Sequence, residues 1–456
     1  MSTIHEPARD VPVCHECDVC VIGGSCTGIF AAIAAARQGA RVAIVESLGY
    51  FGGTATASLV TVWHSHSDIH GERQIIAGLT TETMDRLKAT GGVIERSPAE
   101  PSWQYAFAPY QLVLELDRMV VDAGVRPFLH TRFVAPVLRG EGEVDAIIIE
   151  DKTGRRAIKA SMFVDASGDG DLVHRMGLET YRGGQLQPPT TCFLVDGLGR
   201  LQKEQGIDVR KVLFNPEDPE ALRPGFFWGA PIPGGEPDSD MRLVAGTRVH
   251  GADCSDADEL TQAEIEGRRQ VRQMLHLIRT RIPGGDKLAL HGLPARIGIR
   301  DTRRTRCLHQ LTEREVLTGE RFDDAIANGS YRVDVHAADG DGLVFRYLDG
   351  REVTAYADGR HESRRWAAEG EANASFYQIP YRSLVPVRAR NVLVAGRCLD
   401  ADEGAFGAVR VMVNTTQTGQ AAGAAAWLAL DGNTTVDQVD PQALRSLLTR
   451  QGAVII

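Results

Sequence analysis

A chain of 456 residues, 43% hydrophobic and 24% charged, has the balance of a folded globular protein and is long enough for two domains or one domain with a large insertion. Its net charge of −10, with no basic block, argues against DNA or RNA as a partner. The longest apolar stretches, 29–36 and 421–430, are too short and too rich in alanine to span a bilayer, so no membrane association is expected.

Residues 1–13 are a polar tail broken by prolines, without the apolar core of a signal peptide. Together with eight scattered cysteines that read as reduced thiols, this gives a cytoplasmic expectation. Cys14, Cys17 and Cys20 have C-x2-C-x2-C spacing, but 17–22 reads as a buried strand and no second cluster completes a site. No metal is expected.

From Asp18 the chain alternates strand (18–22), glycine turn, helix (28–37) and strand (40–45), a βαβ unit of about 30 residues. A helix follows at 109–123, with Leu112, Leu114, Leu116, Met119 and Val120 as its apolar residues, then a strand at 125–129. Residues 134–137 and 146–150 form a hairpin turned at 140–142 and continued by 157–164. After Asp171 the character changes: 181–240 is rich in Pro and Gly and lacks a period, which predicts loops and short strands of a different domain. The stretch 260–282 is an amphipathic helix with Val271, Met274, Leu275 and Ile278 on one stripe, stopped by Pro283-Gly-Gly. Residues 385–395 read as a strand and 409–430 as one long helix of small residues that packs on a sheet. The division is a tail (1–13), a first domain in two parts (14–180 and 376–456) and an insertion (181–375) between them.

The turn reads Gly23-Gly-Ser-Cys-Thr-Gly28, with serine where the fingerprint has its middle glycine. The helix after it aims its N-terminal amides at phosphates, and Glu46 ends the second strand where a carboxylate accepts from a ribose diol. Beyond Glu46 come Tyr50-Phe-Gly-Gly-Thr-Ala-Thr-Ala57, Asp165-Ala-Ser-Gly-Asp-Gly-Asp171, Gly298-Ile-Arg-Asp-Thr-Arg-Arg304, Gly329-Ser-Tyr-Arg-Val-Asp-Val-His336, Tyr377-Gln-Ile-Pro-Tyr-Arg-Ser-Leu384 and Asn391-Val-Leu-Val-Ala-Gly-Arg397. On these segments most of the chain resembles the FAD-dependent oxidoreductases of the glutathione-reductase-like superfamily, and more narrowly their fumarate-reductase-related branch.

The resemblance implies an α/β fold: a Rossmann-like FAD-binding domain, its parallel sheet joined by a β-hairpin meander, with an inserted α+β substrate domain. It also implies FAD as cofactor. Gly23, Gly24, Ser25, Cys26, Thr27 and Gly28 would meet the pyrophosphate, Glu46 and Ser47 the AMP ribose, and Val134 the adenine through its backbone. Gly52, Gly53, Thr54 and Ala55 would run beside the phosphates or ribityl chain. Ala166, Ser167, Gly168 and Asp169 would close the flavin site, and Gly396 and Arg397 would meet the ribityl or phosphate region. Gly407, Val409, Arg410 and Val411 surround a helix start near Val409 that would face the flavin pyrimidine ring, where reduced flavin is negative. Two departures stand out: relatives usually carry an acidic residue in place of Arg397, and often His-Glu in place of Glu403-Gly404.

For substrate chemistry the candidates are His336, Arg303, Tyr381 and Arg382, with Arg304, Asp334 and Tyr377 nearby in sequence and His64 and His66 after the Gly-Gly-Thr segment. The bland alternatives are a His336 fixed by Asp334 and arginines 303 and 304 in internal ion pairs. The expected activity is a dehydrogenase or oxidase moving a hydride from a small molecule to flavin N5. A flavin monooxygenase using NAD(P)H and oxygen, and a non-catalytic FAD-binding subunit, are the competing readings, and a homo-oligomer is open. None of the five tryptophans lies in the W-x-W-x-I-P pattern of flavin halogenases.

Overall fold

The computed structural model describes residues 2–96, 104–223, 225–234, 239–336, 342–356 and 360–456. The loop-rich reading of 181–240 therefore falls in part, at 224 and 235–238, outside the described residues.

Strand β1 (Val13–Ile22), helix α1 (Cys26–Ala36) and strand β2 (Val42–Val45) form the anticipated βαβ unit, with β1 and β2 parallel from Val19↔Val42 to Ile22↔Val45. β2 is buried at all four positions and β1 at its last four, as expected of strands covered on both faces. Helix α2 (Pro109–Asp122), led by proline in its first turn, returns the chain to β3 (Arg126–Phe128), parallel to β2. The hairpin β4 (Arg132–Gly140) and β5 (Glu143–Asp151) runs into β6 (Gly154–Asp165), whose later residues lie parallel to β1. The sheet order is β3-β2-β1-β6-β5-β4.

The inserted region adds two antiparallel layers. In the first, β7 (Phe193–Asp196) pairs with β9 (Arg242–Ala245) and β10 (Ala289–Gly292), with β8 (Trp228–Pro231) on the β9 edge. The long helix α3 (Ala257–Arg281) covers this sheet. Asp256 caps it by accepting from the amides of Asp258 and Glu259, and its predicted stripe of Val271, Met274, Leu275 and Ile278 is buried. The second layer is a meander of β11 (Val333–His336), β12 (Gly342–Arg346), β13 (Arg351–Tyr356) and β14 (His361–Arg365).

The chain then returns to the first sheet through β15 (Val392–Val394), parallel to the end of β6. The strand anticipated over 385–395 is thus only three residues long. Pro386 has no N–H to give to a ladder, and Arg388 turns the chain at φ +71°. The helix anticipated over 409–430 is α5 (Met412–Asp431), and a short helix that was not anticipated, α4 (Glu403–Val409), precedes it, the two separated where Val411 adopts extended backbone.

Helix α5 crosses α1 at backbone contact. A Cβ on Gly423 would lie 2.0 Å from the Ala31 carbonyl oxygen, so no larger residue fits without parting the helices. Gly423→Val is expected to cost about 3 kcal/mol, read as a lower urea midpoint with unchanged slope. Among the described residues no helix is long and apolar enough to cross a membrane.

Candidate active site

The loops leaving the C-terminal ends of β1, β6 and β15 meet at one place, where an open α/β sheet takes its ligand. A cavity of about 660 Å³ begins there. Its floor is Ser25, Cys26 and Thr27 at the start of α1, Gly52, Gly53 and Thr54, then Ala166, Ser167 and Gly168 after β6, and Gly396 and Arg397 after β15. Arg410, Val411 and Met412, the break between α4 and α5, complete this part of the wall. Val411 opens α5 without a side-chain cap, so the first-turn amides stand at the cavity with the positive end of the helix dipole.

The other cofactor candidates lie around this floor rather than on it. Gly28 supports the turn from behind: a Cβ there would stand 1.8 Å from the Gly23 carbonyl oxygen. Ser25, in the place of the middle glycine, caps α1, its hydroxyl accepting from Gly28 N at 3.5 Å. Glu46 is buried at the end of β2. One carboxylate oxygen accepts from Gly24 N at 2.7 Å, and the other accepts from Leu48 N and from the Ser47 hydroxyl. The Val134 carbonyl accepts from Arg175. Gly24, Ser47, Ala55, Asp169, Gly407 and Val409 also lie off the wall, and Gly407 lets α4 pack onto the backbone of β11 at Asp334.

These residues fit a dinucleotide. Arg397 gives one nitrogen to Asp169 at 3.2 Å, while its Nη1 is buried without an acceptor among the described residues. The helix-start amides of α1 and α5 face the same space. Two phosphates would supply the acceptors these donors lack. Asp165, at the end of β6, holds the next turn by accepting from Ser167, Leu172 and Val173, and burial pushes its carboxyl up to about 6.

Opposite the floor the wall belongs to the insertion. β11 alternates, with Val333 and Val335 inward and Asp334 and His336 toward the cavity. Tyr331 donates its hydroxyl proton to Asp334 Oδ2 at 2.8 Å, and Arg410 approaches the same carboxylate at 3.7 Å. Burial pushes Asp334 up, but Arg410, the Tyr331 bond, Arg332 and Arg300 outweigh it, and the group stays below the usual carboxylate range. His336 does not bond to Asp334; its Nδ1 faces the Gln187 side-chain oxygen. Burial first, then Arg300 and Arg248, push His336 down to about 3. Burial and Arg332 bring His64, beside the Tyr331 ring, down to about 4. Both imidazoles are neutral at physiological pH.

Three of the four catalytic candidates stand elsewhere. Arg303 ties down the loop after β6, donating to the Asp169 carbonyl at 3.0 Å and pairing with Asp171. Tyr381 is buried and spends its hydroxyl on the Val436 carbonyl at 2.7 Å. Arg382 pairs with Asp324 at 3.0 Å. Arg304 pairs with Asp301 beneath the Phe406 ring, and Tyr377 donates to the Ala408 carbonyl. None of these lines the cavity. Among the cavity residues that sequence reasoning passed over are Arg248, Arg300 and Arg332. The last two lie inside quoted segments, and the period-two pattern after Tyr331 was the signal that sets Arg332, Asp334 and His336 on one face. Among the described residues no group of three or more His, Cys, Asp or Glu is placed to hold a metal.

A parallel βαβ sheet whose glycine turn opens into a cavity roofed by an inserted antiparallel layer defines the class as a dinucleotide-binding protein with room for a second ligand. The family described as FAD dependent oxidoreductase matches residues 18–448, and the chain belongs to it. It is an enzyme of that kind, with FAD as its cofactor. No curated protein matches the chain. Among solved structures it is similar to a geranylgeranyl bacteriochlorophyll reductase-like protein from Thermoplasma acidophilum, at 12% identity over 96% of this chain and 84% of that one, with a TM-score of 0.45. It is also similar to the myxobacterial chondrochloren halogenase CndH, at 14% identity over 96% and 80%, with a TM-score of 0.45. Likeness at that level carries no argument about the chemistry.

Proposed function

We propose that the chain is a dehydrogenase or oxidase that moves a hydride from a small organic substrate to flavin N5, within the fumarate-reductase-related branch of the glutathione-reductase-like superfamily. One observation carries this reading: a single cavity joins the dinucleotide floor at Ser25, Thr27 and Gly396 to a wall with Tyr331, Asp334 and His336. FAD supplies the two-electron acceptor when bound. The chain must then orient the substrate and take the proton that accompanies the hydride. His336 suits that role, because its Nδ1–H is given to the Gln187 oxygen and its Nε2 keeps a lone pair. Tyr331, pushed up by burial and by Asp334, stays a protonated donor fixed in place by that carboxylate. The eight free thiols suit a reducing, cytoplasmic setting.

The test is anaerobic mixing of the flavin-loaded protein with a panel of small molecules. Bleaching of the flavin band by one of them is expected, and His336→Gln should slow that bleaching about 100- to 1,000-fold with FAD content unchanged. Oxygen incorporation coupled to NAD(P)H consumption would replace this reading with a monooxygenase. A flavin that no compound reduces or reoxidises would leave a binding subunit.

A further inference from the structure

Resting on that reading, the geometry points to the substrate class: a carboxylic acid with an apolar body, its carboxylate held between Arg248 and Arg300. Among the described residues the cavity wall carries seven arginines and one carboxylate, Asp334, which is already engaged by Tyr331 and Arg410. Arg397 is paired with Asp169 and the FAD pyrophosphate would bring two negative charges, which still leaves the wall net positive.

Arg248 and Arg300 form the built part of the excess. Each donates from Nη1 to the hydroxyl oxygen of Thr190, at 2.9 and 2.5 Å. Thr190 gives its own proton to the Thr247 carbonyl at 2.9 Å, so the hydroxyl accepts from both guanidiniums at once. Two cations are thus drawn to one neutral oxygen with no carboxylate between them. Arg248 Nε is moreover buried without an acceptor among the described residues. Planar forks of this kind match a carboxylate in two-point contact, as an ammonium does not.

The walls on either side are apolar. Phe226, Trp228 and Ala230 come from β8 and the residues before it, and Leu343 and Phe345 from β12. Trp228 is 38% exposed on a strand edge, an unusual place for a tryptophan unless it faces a ligand. The acid end therefore sits at Arg248 and Arg300 and the body against Trp228 and Phe345. His336 lies next to the acid end: its Nδ1 faces the Gln187 side-chain oxygen, and Arg300 donates to the carbonyl of the next residue, Pro188. The bond oxidised is then close to the carboxylate. With FAD bound as the two-electron acceptor, a carbon beside the carboxylate would lose its hydride to the flavin, its neighbour would give a proton to His336 Nε2, and a double bond would form between them. A bound carboxylate also offsets the two arginines, so His336 becomes a better base only when an acid is present.

Benzoate, which cannot be oxidised in this way, tests the site apart from the reaction. The FAD-loaded protein is titrated with benzoate, benzamide, succinate and inorganic phosphate, read by the shift of the flavin absorbance band and by thermal melting. Benzoate should bind about 10- to 100-fold tighter than benzamide, the range of charged hydrogen bonds. Arg300→Met and Thr190→Val should each remove most of that preference, and Trp228→Ala should weaken benzoate without changing phosphate. Equal binding of benzamide and benzoate would overturn the anion site. Succinate or phosphate binding as tightly as benzoate would overturn the apolar body. A tight benzoate site in a protein whose flavin no acid reduces would keep the site and discard the dehydrogenase reading.

Discussion

Gly28→Ala is expected to lose most of its FAD, and Gly28→Val all of it, with secondary structure retained. A Cβ at residue 28 would stand 1.8 Å from the Gly23 carbonyl oxygen and 3.3 Å from the Ala166 side chain, far inside contact distance. Neither neighbour can yield. Gly23 is fixed by its amide donating to the Val45 carbonyl at 2.8 Å, and Ala166 by its amide donating to the Ile22 carbonyl at 2.8 Å. The helix start must therefore move by an ångström or more, taking with it the amides aimed at the phosphates. Misplacement of that size costs about 100-fold or more in a positioned site. The ratio of flavin to protein absorbance after gel filtration should drop more than about tenfold for the alanine variant, corresponding to roughly 1.4 kcal/mol or more. Far-ultraviolet circular dichroism should stay near wild type, because β1, α1 and β2 are supported by the whole sheet. Ser25→Gly is the contrasting case. It removes a long 3.5 Å cap and restores the fingerprint residue, so flavin content should be unchanged. Full flavin content in Gly28→Ala would mean that the phosphates are seated elsewhere.

The contrast shows which kinds of information the sequence carries. Local periodicity and glycine placement made β1, α1 and β2 legible, because a buried parallel strand and a close-packed helix each restrict residue type position by position. The start of α5 was legible to within three residues, but α4 was not. Its two glycines, at 404 and 407, disfavour a helix interior. That helix is decided by packing, with α4 seated on β11 through Gly407 and α5 on α1 through Gly423. Side-chain direction was harder still. Tyr381 and Arg382 stand in a segment that looks chemical, yet their partners, Val436 and Asp324, lie more than 50 residues away in sequence. Arg300 and Arg303 share one short segment and differ only in where the fold turns them, the first into the cavity and the second onto the loop after β6. Charge type in a motif announces a task, whereas the fold decides whether that task is binding or bracing.

Acid should destabilise the protein from about pH 6.5 downward, through histidines that the fold keeps neutral. His64 is held at about 4, and His66 and His336 at about 3, in each case first by burial. An unfolded histidine titrates near 6.5, so below that pH the unfolded chain takes up protons that the folded chain refuses. Stability is therefore full above about 6.5 and is lost as pH falls, by up to about 1.4 kcal/mol per unit for each histidine. Between pH 7 and 5 that is about 2 kcal/mol for His66, which is buried, and less for His64 and His336, which border the cavity and its water. Asp165 opposes the trend. Its carboxyl, pushed up to about 6, is protonated in the folded state at pH 5 and not in the unfolded one, which returns about 1 kcal/mol. The histidines win, and a net loss of about 2–4 kcal/mol is expected, a large share of the 5–15 kcal/mol typical of a folded protein. Urea midpoints at pH 7, 6 and 5 measure it. His66, packed edge-on against Tyr105 at 4.8 Å, provides the attribution: His66→Leu removes the largest of the three contributions and should flatten the slope by about half or more. Equal midpoints at pH 7 and 5 would show that these imidazoles take up protons in the folded protein, and that the cavity is far wetter than its walls imply.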